Sequence, residues 1–316
     1  MTMIHRLIFP IFLTLLPLQA MAQLELNLTQ GRVEALPIAI TDFYAPEVGN
    51  TDIAVQMASV IRTNLTNSGL FRPLSSDSFV QSSQSIATEE PRFNEWRPLN
   101  VPTLVSGQVL DVADGRLRVE FRLWDVLAGG QLEGMAYMTT PENWRRIAHI
   151  ISDSIFKRLT GEDGYFDTRI VYIAESGPVN RRVKRLAIMD QDGENHRYLT
   201  DGSYLVLTPR FSPNAQEITY LAYINNEPRV YLYNIDTGRQ ELLGNFPGMS
   251  FAPRFSPDGE AILMSLARSG NTDIFMMDLR SRQVRQITDH FGIDTSPSMA
   301  PDGRRIVFES DRGGSQ

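Results

Sequence analysis

A short motif recurs three times in the second half of this chain at a constant spacing of 44 residues. Its first proline stands at positions 209, 253 and 297, within the words TPRFSP, APRFSP and SPSMAP. Two more sets of positions keep the same spacing: Asp190, Asn234 and Asp278, and Leu199, Leu243 and Ile287. A register sustained over separated positions indicates one supersecondary unit built several times.

Each repeat has the pattern of short β-strands. Segments Glu217–Ile224 and Arg229–Ile235 are β-branched, aromatic and apolar, and the turn Ser-Pro-Asp-Gly at 256–259 suits a tight reversal. About four strands in ~44 residues match one blade of a β-propeller. Because one blade cannot bury both of its faces, neighbouring blades must stack. We therefore expect an all-β propeller over residues 165–316, with roughly three blades and the start of a fourth.

Residues 23–164 contain no repeat, and their patterning is that of an α+β domain. Segment Leu36–Phe43 predicts a buried strand, and three strands joined by Asp-Gly and Gly-Gly turns are predicted between 103 and 139. Segment 51–69 predicts a helix, because five apolar residues recur on one face: Ala54, Met57, Ala58, Ile61 and Leu65.

A second helix is predicted over 139–161, with a capping box formed by Thr139 and Glu142. Its apolar stripe consists of Trp144, Ile147, Ile151, Ile155 and Leu159. We expect two helices on a mixed sheet, with Trp96 in a satellite core, since large aromatic side chains are usually mostly buried.

The N-terminus has the pattern of a secretory signal. Arg6 precedes an apolar run from Leu7 to Leu18, and the small-x-small triplet Ala20-Met21-Ala22 follows. At about 12 residues, the run is shorter than the ~20 needed to cross a bilayer. We expect a signal peptide over 1–22, cleavage after Ala22, and a mature protein that does not span a membrane.

The net charge and the motifs of the chain favour a binding function over a catalytic one. The net charge is −7 without blocks of like charge, which argues against a nucleic-acid surface. The mature chain has no cysteine, no histidine pair at metal-ligand spacing, no Gly-x-Ser-x-Gly elbow and no phosphate loop. We therefore predict no enzyme, no cofactor and no metal. The loops before the repeated turns differ in sequence, as expected of an interaction platform.

The segment Gln23–Gly31 alternates leucine with polar residues. An alternating strand at a free terminus can pair with an edge of its own sheet or with another protein. The residues alone favour pairing with its own sheet.

The whole chain resembles the TolB family, periplasmic components of the Tol-Pal system. The resemblance is carried by the signal peptide, the α+β domain, GYFDTRIVYIAE at 164–175, and the words PRFSPDG, IFMMDL and RQITD. It implies a six-bladed propeller, of which about three blades would be present here. It also implies a non-enzymatic scaffold that supports outer-membrane invagination during division and envelope integrity.

The resemblance implies partners and partner-binding residues as well. Family members bind the peptidoglycan-associated lipoprotein over the propeller channel and contact TolA with their mature N-terminal strand, and further outer-membrane proteins are candidate partners. The TolA segment would be Gln23, Leu24, Glu25, Leu26, Asn27, Leu28 and Thr29. The lipoprotein site would include Met249, Ser250, Phe251, Ala252, Asp294, Thr295 and Ser296. Met249 stands where the family often has a histidine.

Two alternatives remain open from the residues. Propellers of prolyl-oligopeptidase-like peptidases carry similar turns, and a hydrolase domain would then have to lie outside this sequence. A carbohydrate-binding propeller would need aromatic platforms in the loops, for which the candidates are Tyr204, Phe251 and Phe291.

Overall fold

The computed structural model describes residues 34–225, 227–244, 250–268 and 270–315, and at 250–252 it describes the backbone alone. The chain separates into two compact units, the first ending at Asp167 and the second beginning at Thr168. The predicted signal peptide and the segment Gln23–Gly31 lie outside the described residues.

The first unit is built on one five-stranded mixed sheet, with the strand order β2-β1-β3-β4-β5. β1 runs parallel to β2 and β3, whereas β3, β4 and β5 form an antiparallel meander. The strands are β1 (Leu36–Ile40), β2 (Phe71–Pro73), β3 (Thr103–Asp111), β4 (Leu117–Asp125) and β5 (Gly130–Thr139). The mixed sheet agrees with the sequence prediction.

Two long helices, α1 (Thr51–Asn67) and α4 (Trp144–Thr160), cover one face of this sheet. The predicted stripe of α1 is fully buried, and in α4 Trp144 packs partly buried against the same core. Between α1 and α4 the chain forms two short helices, α2 (Ser83–Thr88) and α3 (Phe93–Trp96). The helical periodicity therefore predicted correctly which faces of the two helices pack against the sheet.

The other face of the sheet has a smaller core centred on Trp96, which is 1% exposed. Its indole N–H donates to Oε1 of Gln81 at 3.1 Å, so the polar end of the ring is satisfied inside the protein. Trp124 joins this cluster from β4. The prediction that Trp96 is a core residue is confirmed.

The predicted start of the second helix is wrong. Thr139 is the last residue of β5 and is buried, and α4 begins only at Trp144, after a 3₁₀ turn over Pro141–Asn143. The side chain of Asn143, which stands at the N-cap of α4, makes no capping bond; its amide instead donates to the Thr139 hydroxyl at 3.4 Å. The strand pairing of Thr139 prevents the capping box with Glu142, whose pKa is lowered by its own backbone amide and by the Thr140 hydroxyl.

The second unit consists of antiparallel sheets that follow the 44-residue repeat. The described residues form a three-stranded, two four-stranded and a two-stranded sheet. The first is β6 (Arg169–Ser176), β7 (Val183–Asp190) and β8 (Arg197–Tyr198). The second is β9 (Leu205–Phe211), β10 (Glu217–Ile224), β11 (Glu227–Asn234) and β12 (Gln240–Leu242). The third is β13 (Ser250–Phe255), β14 (Ala261–Arg268), β15 (Asn271–Asp278) and β16 (Val284–Gln286), and the fourth is β17 (Asp294–Met299) and β18 (Ile306–Ser310).

The apolar cores of this unit lie between successive sheets. One cluster joins Leu186 and Ile188 of the first sheet to Ile218 and Tyr220 of the second. The next cluster joins residues of the second and third sheets: Leu221, Val230, Leu232, Ile262, Met264, Leu266, Phe275 and Met277. Sheets stacked face to face in repeat order are the arrangement of a propeller-type domain.

Across the part of the chain that the structure describes, every helix is too short or too polar to cross a bilayer.

Candidate partner-binding surface

The first strands of successive repeats, β9, β13 and β17, lie next to one another: β13 contacts both β9 and β17. We call these three the inner strands, because the first strand of each propeller blade lies nearest the central axis. The inner strands are the part of the unit where three repeats meet, and most of the predicted lipoprotein-binding residues belong to them.

The predicted residues fall at the beginnings of two inner strands. Ser250–Ala252 open β13 and Asp294–Ser296 open β17, and the two segments occupy equivalent positions, 44 residues apart. Met249, like the segment Gln23–Thr29, lies outside the described residues. The fold therefore brings the two described segments together on neighbouring strands.

Within the second of these segments, exposure rises along the strand. The Asp294 side chain is fully buried, Thr295 is half-buried and Ser296 is exposed. Asp294 Oδ2 accepts from Nη2 of Arg312 at 2.6 Å. Burial raises the pKa of Asp294, but the hydroxyl of Ser310, the guanidinium of Arg312 and the hydroxyl of Thr288 lower it on balance. This carboxylate holds β17 to the end of β18, and Ser296 is the exposed polar side chain of the segment.

Each inner strand contains a β-bulge at the same place in the repeat. The pairing register shifts opposite Tyr220 in β9, between Phe251 and Arg254 in β13, and between Thr295 and Ser298 in β17. In each case two residues oppose one on the partner strand, and the second of the two is the first proline of the repeated motif, which has no N–H to give to the ladder. The repeated proline therefore lies within a strand, where it changes the direction of the chain.

The backbone at two of these bulges adopts an uncommon conformation. Thr208 has a φ of 49° and Ser296 a φ of 54°, in the left-handed region that β-branched and most other side chains avoid. Such residues cost about 1–3 kcal/mol each and persist where the surrounding structure imposes them, often at binding sites. These bulges were not predicted from the sequence.

The repeated turn that follows each inner strand has a structural role, as the sequence predicted. Ser256 Oγ donates to Oδ1 of Asp258 and accepts from the Ala261 amide, and Gly259 has a φ of 72°. The hydroxyl of Ser256 and the amide of Glu260 lower the pKa of Asp258. The Asn214 amide of the preceding repeat donates to the carbonyl of Asp258, which links one turn to the next.

Two arginines of the inner strands were missed by the sequence interpretation. Arg210 in β9 and Arg254 in β13 directly follow the bulges, at equivalent positions of successive repeats, and both are half-buried. The signal was present, because the words TPRFSP and APRFSP share this arginine at the 44-residue spacing. A charged residue repeated on the strand nearest the axis is a candidate binding group.

Comparisons with known proteins agree with this architecture in both units. The model described as the TolB amino-terminal domain matches residues 24–132, and that of the TolB beta propeller domain matches residues 156–316. The Tol-Pal system protein TolB of Paramagnetospirillum magneticum is 54% identical over 234 residues, which cover 74% of this chain and 52% of the relative. The chain thus spans about half the length of this curated relative.

A solved structure supports the same assignment. The crystal structure of TolB from Acinetobacter baumannii matches with a TM-score of 0.75 at 32% identity, over 89% of this chain and 67% of that one. Together with the family models, it confirms the resemblance stated from the sequence. With helices on a mixed sheet in its first unit and a propeller-type second unit, this chain belongs to the TolB family.

Proposed function

We propose that this chain is a non-enzymatic periplasmic scaffold of the Tol-Pal system. It binds the peptidoglycan-associated lipoprotein at the beginnings of the inner strands and TolA through residues 23–29. These contacts support outer-membrane invagination during division and envelope integrity. The observation that carries the proposal is the family match of both units, together with a relative named as a Tol-Pal system protein.

The arrangement of the inner strands supports a binding role. The strands keep one architecture, with the same bulge and the same following turn, while the residues that open them differ. A repeated frame with variable surface residues can match a protein partner without performing chemistry.

The finer features of the scaffold belong to this proposal. They are export by a signal peptide over 1–22, a domain division near residue 164 and a six-bladed ring in the whole protein. The peptidase alternative gains no support, because the amino-terminal match is to the TolB family as well.

The lipoprotein contact is tested by changing Thr295, half-buried near the start of β17, to Arg. The purified chain is titrated with the periplasmic domain of the lipoprotein. The proposal predicts that Thr295→Arg weakens binding at least ~10-fold through steric and charge mismatch. Gln283→Arg, an equal charge change at an exposed position before β16, serves as the control. Equal affinities for both variants would contradict the proposed lipoprotein site.

The TolA contact is tested by deleting residues 23–31 from the mature chain. The proposal predicts that binding to the C-terminal domain of TolA is lost while the melting temperature of the chain stays nearly unchanged. A fall of many degrees would instead show that the segment is a structural strand, and retained TolA binding would place that contact elsewhere.

A further inference from the structure

Arg210 and Arg254 place two positive charges at the same level of neighbouring inner strands. Arg210 is paired across the sheet with Thr219, and Arg254 with Leu263, so each guanidinium extends from the strand directly after its bulge. The equivalent residue of β17 is Ser298, which has no charge. The arginine pair is thus a property of the second and third sheets.

These two guanidiniums differ from two other arginines of the same unit, which pair with carboxylates. Arg282 pairs with Glu241 and Arg312 with Asp294. Among the described residues, neither Arg210 nor Arg254 has a carboxylate within ion-pair distance, and Nη1 of Arg210 donates to the neighbouring carbonyl of Pro209 at 2.9 Å.

Two half-buried guanidinium groups close to each other are electrostatically unfavourable when no anion lies between them. Partial burial, together with the positive charge of Arg254, lowers the pKa of the Arg210 guanidinium. A half-buried charge loses part of its hydration, and a second like charge nearby adds repulsion. An anion seated between the two side chains would relieve both penalties at once.

The charges of the inner strands indicate the charge and the chemical class of the group that binds there. The chain carries a net charge of −7, yet the charged residues of the described inner strands are Arg210, Arg254 and Asp294, and Asp294 is already neutralised by Arg312. The guanidinium fork matches the planar geometry of a carboxylate and can form two parallel hydrogen bonds to it.

We propose that Arg210 and Arg254 form a carboxylate-binding site for an acidic side chain of the protein partner that docks on the inner strands. The inference rests on the proposed function in one respect, namely that the partner is the peptidoglycan-associated lipoprotein. The arginine pair supplies charge complementarity inside a surface whose outer part is formed by neutral side chains such as Ser296.

The test compares Arg210→Gln and Arg254→Gln with the control Arg239→Gln, an exposed arginine beside the outer strand β12. Each purified variant is titrated with the lipoprotein domain at low and high salt, and its melting curve confirms folding. We expect at least a ~10-fold loss of affinity for each inner variant, a weaker salt dependence and no change for Arg239→Gln. Arg254→Lys, which keeps the charge but loses the fork, should lose less.

The outcomes separate the two proposals. If the unchanged chain binds and both inner Gln variants bind as tightly, the carboxylate site is overturned while the proposed function stands. If the unchanged chain does not bind the lipoprotein domain, the proposed partner is wrong, and the carboxylate site is then tested by titration with citrate as the probe. Saturable shifts of the Arg210 and Arg254 Nε resonances, without a shift of Arg239, would then support the site. Unshifted resonances would overturn it.

Discussion

In the first unit, two helices cover a single sheet, whereas in the second unit, sheets cover one another. The core under α1 and α4 is assembled from residues that occur once, such as Phe121 at the centre of β4 and Ile151 in α4. The cores of the second unit use equivalent positions again: Tyr220 and Met264 are 44 residues apart, and each packs toward the sheet before its own.

This difference determines how each unit can carry function. A core built without repetition tolerates few substitutions at any position, because each side chain has a unique set of neighbours. A core assembled by repetition needs only the repeated positions, so the residues that open the inner strands are free to vary. The surface proposed for the lipoprotein lies in the second unit for this reason.

The largest effect is expected at Phe121, which is fully buried and lies with its ring parallel to Tyr137 at a centroid distance of 6.5 Å. Phe121→Ala should lower the free energy of unfolding of the first unit by about 3–5 kcal/mol, since the cavity cannot be refilled. The control Met138→Ala, at a position 45% exposed on β5, should change it by less than about 0.5 kcal/mol. Denaturant titration measures both, and similar values would refute a uniquely packed core.

Met264→Ala tests whether neighbouring sheets stabilise one another, because Met264 is buried between the second and third sheets with Leu221 and Leu232. We expect a loss of about 2–5 kcal/mol. Hydrogen exchange should show weaker protection in both β10–β11 and β14–β15. Weaker protection in the third sheet alone would mean that the sheets do not stabilise one another.

Asp294→Asn tests the ion pair with Arg312 that holds β17 to the end of β18 in the fourth sheet. Removing the buried charge that pairs with Arg312 should cost about 1–3 kcal/mol at neutral pH. The folded pKa of Asp294 is lowered, so its contribution is present above the unfolded value of ~3.9 and is lost as pH falls through the folded pKa. Stability curves of parent and variant should therefore converge below about pH 4. Parallel curves would contradict the assigned pairing.

The smallest effects compare two equivalent turn glycines. Gly259 and Gly303 have φ values of 72° and 68°, so alanine at either position should cost about 1 kcal/mol in backbone strain. A Cβ at Gly259 would also clash with Oδ1 of Asn214, whereas a Cβ at Gly303 would meet no heavy atom of the described residues within 4 Å. Thermal melting should show a larger loss for Gly259→Ala. The opposite order would show that the link between turns is unimportant.

Local periodicity predicted much of this fold. The stripe of α1 is buried as expected because a 3.6-residue period depends only on residues within the helix, and the 44-residue period located the second-unit sheets in the same way. Trp96 was assigned correctly from its size alone. The start of α4 was not, because Thr139 is held by its pairing with Leu117, more than 20 residues earlier.

The candidate site was harder to predict for the same reason. The repeated motif indicated a turn, but only the strand pairing reveals that its first proline lies in a bulged strand before that turn. The burial of Asp294 depends on Arg312, which follows it by 18 residues. Arg210 and Arg254 become a pair only when two repeats are placed side by side, which no single repeat shows.

Hydrogen exchange of the full chain, with and without the lipoprotein domain, tests whether the repeated sheets bring their first strands together to form the partner-binding surface. If they do, the lipoprotein domain adds protection at the beginnings of β13 and β17 and leaves β12 and β16 unchanged. Protection confined to β12 and β16, or to the first unit, would contradict a binding surface on the inner strands.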